Sequence, residues 1–203
     1  MDRYWLITWT TYGTWLAGDE RGFVSNVYSD DGGPEVRHNI VGTECDRAIT
    51  GLERYVRDRM LDDPFYLNEE QARTMIEQYL ETSRIRKFEL CAAAVMSNHT
   101  HLLLGAPGDP DPDELRELYK SWATRALKKR WKPPASGTFF TAKGSVRKKE
   151  GDAIPVAAIY VARKQPNPLA TYVGENWLGV IADYDRFKAS ETTASNEMAS
   201  GAP

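Results

Sequence analysis

The stretch FELCAAAVMSNHTHLLL, residues 88–104, limits the possible fold more than any other part of the chain. Phe88 to Val95 and Thr100 to Leu104 read as two buried strands around the short polar break MSNH, and the second could already begin at Asn98. Two of the three histidines, His99 and His101, fall inside this otherwise aliphatic pair. Alternate residues of a strand share a face, so the two imidazoles project together, about 6.6 Å apart along the backbone, while Thr100 and Leu102 face the other side. Two rings so placed can tilt onto one metal ion. Taken alone, the three-residue pattern favours two hydrogen-bonded histidines at a strand edge.

The remaining chain supplies partners for these strands. Arg3 to Thr11 is aromatic and β-branched, ends near a glycine and reads as a strand. Gly18 to Pro64, with GDERG and SDDGGPE, reads as a long loop-rich insertion. Asn68 and Gln71 form a capping-box pattern ahead of Ala72, Met75, Ile76, Tyr79 and Leu80, predicting a helix to about Arg86. Asp111-Pro112 opens a second helix with Leu115, Leu118, Tyr119, Trp122, Ala126 and Leu127 on its apolar stripe and Lys120, Lys128 and Lys129 on its polar face, stopped by WKPP. GTFFTAKGS predicts a short strand and turn. DAIPVAAIYVARKQPNP predicts a helix capped at Asp152, with Pro155 in the first turn and Pro166 at its end. The order strand, helix, strand, strand, helix, strand is a split βαβ pattern: α+β, ferredoxin-like or RRM-like, with an antiparallel sheet, helices on one face and an additional C-terminal helix.

At 203 residues and 41% hydrophobic the chain can form one sizeable core. A single domain over 1–189, containing the 18–64 insertion, is expected, with a disordered tail at 190–203. Apolar runs are too short for a membrane span and no signal-peptide layout opens the chain, which points to the cytoplasm. Cys45 and Cys91 form no C-x-x-C pair, so no zinc knuckle or disulfide framework is expected. The net charge of −3 hides an asymmetry: between Arg116 and Lys149 stand eleven Lys or Arg against the single acid Glu117. A basic block in an acidic protein fits one face for a polyanion, and equally a solvated helix face.

Several other chemistries fit less well. Two-histidine phosphoesterases need a second H-x-[ST] element, and the third histidine, His38, sits in RHNIV. No H-E-x-x-H and no G-x-S-x-G occurs. An RNA-binding module without metal would show exposed aromatics on adjacent strands, and HTHLLL has none.

VMSNHTHLLL, together with YWLITWTTYGTWLAGDERG, FYLNEEQARTMIEQYL, YKSWATRALKKR and FFTAKGSVRKKEGDAIPVAAIYV, resembles the HUH single-tyrosine transposases of bacterial insertion sequences, nearest to the type associated with repetitive extragenic palindromes (REP). The likeness runs from about Tyr4 to Val173. It implies that His99 and His101 hold a divalent metal, Mg²⁺ or Mn²⁺, at the scissile phosphate of single-stranded DNA. It also implies that Tyr160, in AAIYVARKQ, is the nucleophile and leaves a 5′-phosphotyrosine. The other reading of Tyr160 is a core aromatic beside Ala157 and Val161.

Relatives often carry a glutamine ligand one turn beyond the tyrosine, but here Lys164 holds that place and Gln165 follows. Gln165 lies about 140° around an ideal helix from Tyr160, yet it precedes Pro166, which biases it out of the helix and can turn its amide inward. Gln165 is taken as the third ligand; if Lys164 occupies that place instead, it is a phosphate contact and the ion is held by the two histidines with water and DNA. Lys120, Arg125, Lys128, Lys129, Arg130, Lys143, Ser145, Arg147, Lys148 and Lys149 are the expected DNA-binding residues, and Trp15, Trp131 and Trp177 stand as base-stacking or packing residues. The expected partner is single-stranded DNA with hairpin elements, bound by a monomer or homodimer. The competing expectation is a catalytically weakened hairpin-binding protein on the same scaffold.

Overall fold

The computed structural model describes residues 1–22, 26–27, 36–37 and 48–200. Its elements in chain order are β1 (Arg3–Thr10), β2 (Asn26–Val27), β3 (Val36–Arg37), α1 (Thr50–Arg57), α2 (Glu69–Arg86), β4 (Glu89–Val95), β5 (His99–Ala106), α3 (Pro112–Lys128), β6 (Ser145–Lys149), α4 (Ala153–Arg163), β7 (Ala170–Val173) and α5 (Leu178–Ser200). His38, Cys45 and much of the 18–64 insertion lie outside the described residues. Within that insertion, α1 and the short β2/β3 pair replace part of the expected loop.

The main sheet is antiparallel throughout, in the order β6-β1-β5-β4-β7. Its first four strands are the split βαβ arrangement, and β7 extends it at the β4 edge. The chain is therefore α+β, as its strand and helix order implies. β4 and β5 are covered on both faces, which explains their continuous apolar runs. Trp5, Ile7, Trp9, Ala93, Val95, Leu102 and Leu104 face α2 and α3 and build the larger core with Met75, Tyr79, Leu115 and Tyr119. On the opposite face Ala92, Ala94 and Leu103 meet Ala157, Ala158 and Val161 of α4 and Ile181 of α5. A register shift between Leu90 and Ala92 lets Cys91 join that second face.

The local signals at α2 hold in detail. Asn68 Oδ1 accepts from the Gln71 backbone N–H at 2.9 Å, and Gln71 Oε1 accepts from the Asn68 N–H at 2.9 Å. Asp111 caps α3 by accepting from the N–H groups of Asp113 and Glu114. At α4 the expectation fails: Asp152 makes no side-chain cap bond, because it already has helical φ and ψ.

The expected strand in GTFFTAKGS is also displaced. Phe139 and Phe140 are both buried in the core, so that segment cannot alternate, and Phe140 makes only an isolated bridge to Thr11. Pairing resumes at Ser145–Lys149, just after Gly144, where a Cβ would lie 2.4 Å from the Thr8 carbonyl oxygen. Trp122 leaves the predicted apolar stripe and is 41% exposed. At the C-terminus, helix α5 runs through Ser190, where composition had pointed to a tail, with Lys188 paired to Glu191.

Candidate active site

Strand alternation sets the histidine pair. β5 gives Thr100, Leu102 and Leu104 to the α2/α3 face, and His99, His101 and Leu103 to the α4 face. The two imidazole centroids are 5.0 Å apart and nearly perpendicular. Opposite them on β1 stand Thr10 and Thr8, on the same face. Thr8 Oγ1 lies 2.6 Å from His101 Nδ1, and His99 Nδ1 lies 2.6 Å from Asn98 Oδ1. An amide oxygen only accepts, so His99 donates through Nδ1 and keeps its Nε2 lone pair for a ligand. The Thr8 hydroxyl engages the matching nitrogen of His101, and Nε2 of that ring carries the lone pair when the hydroxyl is the acceptor. An outer partner on one ring nitrogen is how metal-ligating histidines are normally oriented. The sequence reading missed Thr8 and Asn98, although β1 alternation and the SNH turn are visible in it.

Burial pushes the His101 imidazolium down to about 4, and the neighbouring His99 charge acts in the same direction. His99 is lowered too, by burial first, with the Gln165 side chain opposing and the Arg21 charge reinforcing the shift. Both rings are therefore neutral near pH 7, the form that binds metal.

Tyr160 comes from α4, whose Ala157, Ala158, Val161 and Ala162 pack on the sheet. That packing leaves Tyr160 at the helix margin, 41% exposed, with its ring 5.3 Å from that of His101. The buried-core alternative for Tyr160 does not hold. Gln165, past the end of α4, donates from Nε2 to the Tyr160 carbonyl oxygen at 3.0 Å, and its side chain also interacts with His99. The chain leaves the helix at Lys164, and this exit brings the amide to the histidines despite its helical phase. Lys164 instead lies with its ammonium 5.2 Å from the Tyr184 ring centre on α5. His99, His101, Tyr160 and Gln165 thus converge within one chain. The imidazole nitrogens of His99 and His101 together with the Gln165 amide oxygen are a donor set suited to a divalent cation that accepts imidazole. Among the described residues, no three His, Cys, Asp or Glu side chains gather to hold a metal ion, here or elsewhere.

The basic block divides. Lys120 is only 7% exposed and donates to the Ala142 carbonyl oxygen at 2.6 Å and to Glu117, so it staples α3 to the segment before β6. Arg116 pairs with Asp113 and Glu117, Arg130 with Glu70, and Lys148 with Glu150. Arg125, Lys128, Lys129, Lys132, Lys143, Arg147 and Lys149 have no carboxylate partner among the described residues. Arg125 lies over the exposed Trp122 ring at 4.6 Å. Ser145, Arg147 and Lys149 pair with Thr8, Leu6 and Tyr4, so these three share the histidine face, whereas Lys148 does not. Trp131 packs against the larger core and Trp177 against the smaller one, edge-on to Tyr4, while Trp15 remains exposed.

Fold and site together define a split βαβ protein in which a His-x-His pair on the sheet faces a helix-borne tyrosine. No family model and no curated protein sequence matches the chain. Among solved structures it is similar to a REP-associated tyrosine transposase bound to a REP hairpin, with 12% identity, a TM-score of 0.39, and coverage of 78% of this chain and 64% of that one. It is also similar to a candidate transposase from Deinococcus radiodurans R1, with 14% identity, a TM-score of 0.38, and coverage of 75% and 82%. The chain thus spans less than two thirds of the length of the REP-associated protein.

Proposed function

We propose that this protein is a metal-dependent, transposase-like endonuclease and strand transferase that cleaves single-stranded DNA near hairpins through a covalent 5′-phosphotyrosine. The observation that carries the reading is the approach of the Tyr160 ring to 5.3 Å from His101. The order of sequence motifs supports it. Tyr160 Oη attacks phosphorus, forming an O–P bond as the bond to the 3′ oxygen breaks. The phenolic proton is released to solvent and the departing 3′ oxygen takes one up. One phosphodiester replaces another, so the 3′-hydroxyl can attack in reverse and rejoin strands without ATP.

His99, His101 and Gln165 would hold the divalent ion, Mg²⁺ or, better matched to imidazole, Mn²⁺, which supplies positive charge at the phosphate oxygens. Thr8 and Asn98 orient the two rings. Arg147 and Lys149, on the same face, follow the phosphate backbone.

A second reading, a hairpin-binding protein with weakened catalysis, draws on one feature: the third donor is a neutral amide already engaged with the Tyr160 carbonyl. One experiment separates the two. The protein is incubated with hairpin-flanked single-stranded oligonucleotides and Mn²⁺, and a denaturant-resistant adduct is sought. The endonuclease reading expects an adduct that Tyr160→Phe abolishes and that His99→Ala and His101→Ala reduce at least tenfold. Binding without any adduct supports the second reading, and an adduct surviving Tyr160→Phe rules out this nucleophile.

A further inference from the structure

The motif GDERG has no part in the chemistry above, yet its arginine is held beside the histidine site. Asp19 is only 8% exposed, and it accepts from Arg21 Nε at 2.7 Å, Nη2 at 2.5 Å and the backbone N–H at 2.9 Å. Arg21 Nη2 also donates to the Thr14 carbonyl oxygen at 2.8 Å. The Thr14 hydroxyl in turn donates to the Asn98 carbonyl oxygen at 3.2 Å, which also accepts from the Thr11 N–H at 2.8 Å. Asn98 is the residue that orients His99. A path of hydrogen bonds through Thr14 and Asn98 therefore joins the guanidinium to the first histidine.

Identifiable contacts hold the loop in place. Gly18 has φ +92°, and a Cβ there would stand 2.5 Å from the Ile49 carbonyl oxygen and the Glu53 nitrogen, so only glycine seats the loop against α1. Trp15 Nε1 donates to the Gly22 carbonyl oxygen at 2.8 Å, which fixes the indole plane, and Arg21 lies 5.0 Å from its ring centre. Trp15 is nevertheless 44% exposed, and Arg21 Nη1 has no partner among the described residues. Among the described residues, a buried carboxylate holds one edge of the guanidinium and the other edge stands without a partner beside an exposed indole.

We infer that Arg21 and Trp15 form a preformed clamp for the single strand that enters the site, with Arg21 Nη1 on a phosphate next to the one at the histidines and Trp15 stacked on an adjoining base. This inference rests on the proposed DNA substrate and adds two contacts to it. Preorganisation removes the ordering cost that a free arginine would incur on binding. Stacking on an aromatic face tolerates any base, which suits a grip on the strand rather than a reading of its sequence.

The test is binding of a labelled single-stranded oligonucleotide by the full chain in a Tyr160→Phe background, across a salt series. Arg21→Gln is expected to weaken binding about tenfold and to flatten the slope of log affinity against log salt by about 0.7, the value for one phosphate on a single strand. Trp15→Ala is expected to weaken binding about tenfold with the slope unchanged, and Trp15→Phe to restore most of it. Wild-type affinity and slope in Arg21→Gln overturn the clamp. So does a fall in affinity with no change of slope, since that is the mark of a damaged loop. Absence of a covalent adduct in the protein with Tyr160 intact defeats the endonuclease reading but leaves these binding outcomes to decide the clamp separately.

Discussion

His101 and Thr8 face each other across the β5/β1 pairing, and a single hydroxyl at 2.6 Å sets the ring. Thr8→Val keeps the shape and removes the hydroxyl. Divalent-metal affinity, measured by isothermal titration with Mn²⁺, should fall about 10- to 100-fold, and the fold should lose about 1 kcal/mol. The same burial makes the metal-free protein acid-sensitive. Above the ordinary histidine value of 6.5, His101 is neutral in both the folded and unfolded states. Between that value and about 4, the unfolded chain takes a proton that the folded one refuses, so stability falls as pH falls through this window. The loss should reach on the order of 2 kcal/mol by pH 5 in urea unfolding with chelator present, and His101→Gln should lose less between pH 7.5 and 5. An equal loss in both proteins would remove His101 as the source. The shared face of His99 and His101 was legible from alternation alone. Thr8 was not, because nothing in the sequence tells which β1 residue lies opposite a given histidine, and Asn98, although next to His99 in the chain, shows its contact with the ring only in the folded turn.

The elements differ in how far their own residues specify them. α2 is written locally, by a reciprocal cap and an apolar spacing that reappears as buried Ala72, Met75, Ile76 and Tyr79. Asn68→Ala should cost about 1 kcal/mol in denaturant unfolding without altering the site. β6 is the opposite case. SVRKK has little strand character, and it pairs because β1 offers it an open edge opposite Tyr4 to Thr8. A tertiary opportunity overrode local propensity there, just as two consecutive buried phenylalanines displaced the strand from GTFFTAKGS. Helix α4 carries Tyr160 on the sheet face opposite α2 and α3. Its position is secured by alanine packing and by the bidentate pair of Arg163 with Asp185 on α5, Nε to Oδ1 and Nη2 to Oδ2. Neither β7 nor α5 was anticipated, and both help to hold that helix.

Across the whole molecule, the concentration of charge between Arg116 and Lys149 survives folding, but its members do not act alike. Lys120 is structural, and Arg116, Arg130 and Lys148 are paired. Arg147→Gln with Lys149→Gln should flatten the salt dependence of single-stranded DNA binding by about 1.4, two phosphates' worth, whereas Lys148→Gln should change it little. Filter binding between low and moderate salt distinguishes these outcomes, and equal effects would mean that strand face does not select the contacts. The sequence by itself determined the split βαβ order, the common face of the two histidines and the length of α2, because strand period and helix caps are set within a few neighbouring residues. Only the tertiary structure decided that Tyr160 meets His101, that Gln165 rather than Lys164 turns to His99, and that Lys120 is withdrawn from solvent. Those outcomes depend on strand register, on the angle at which the chain leaves α4 and on which edge of the sheet remains open, and each is fixed by packing between segments far apart in the chain.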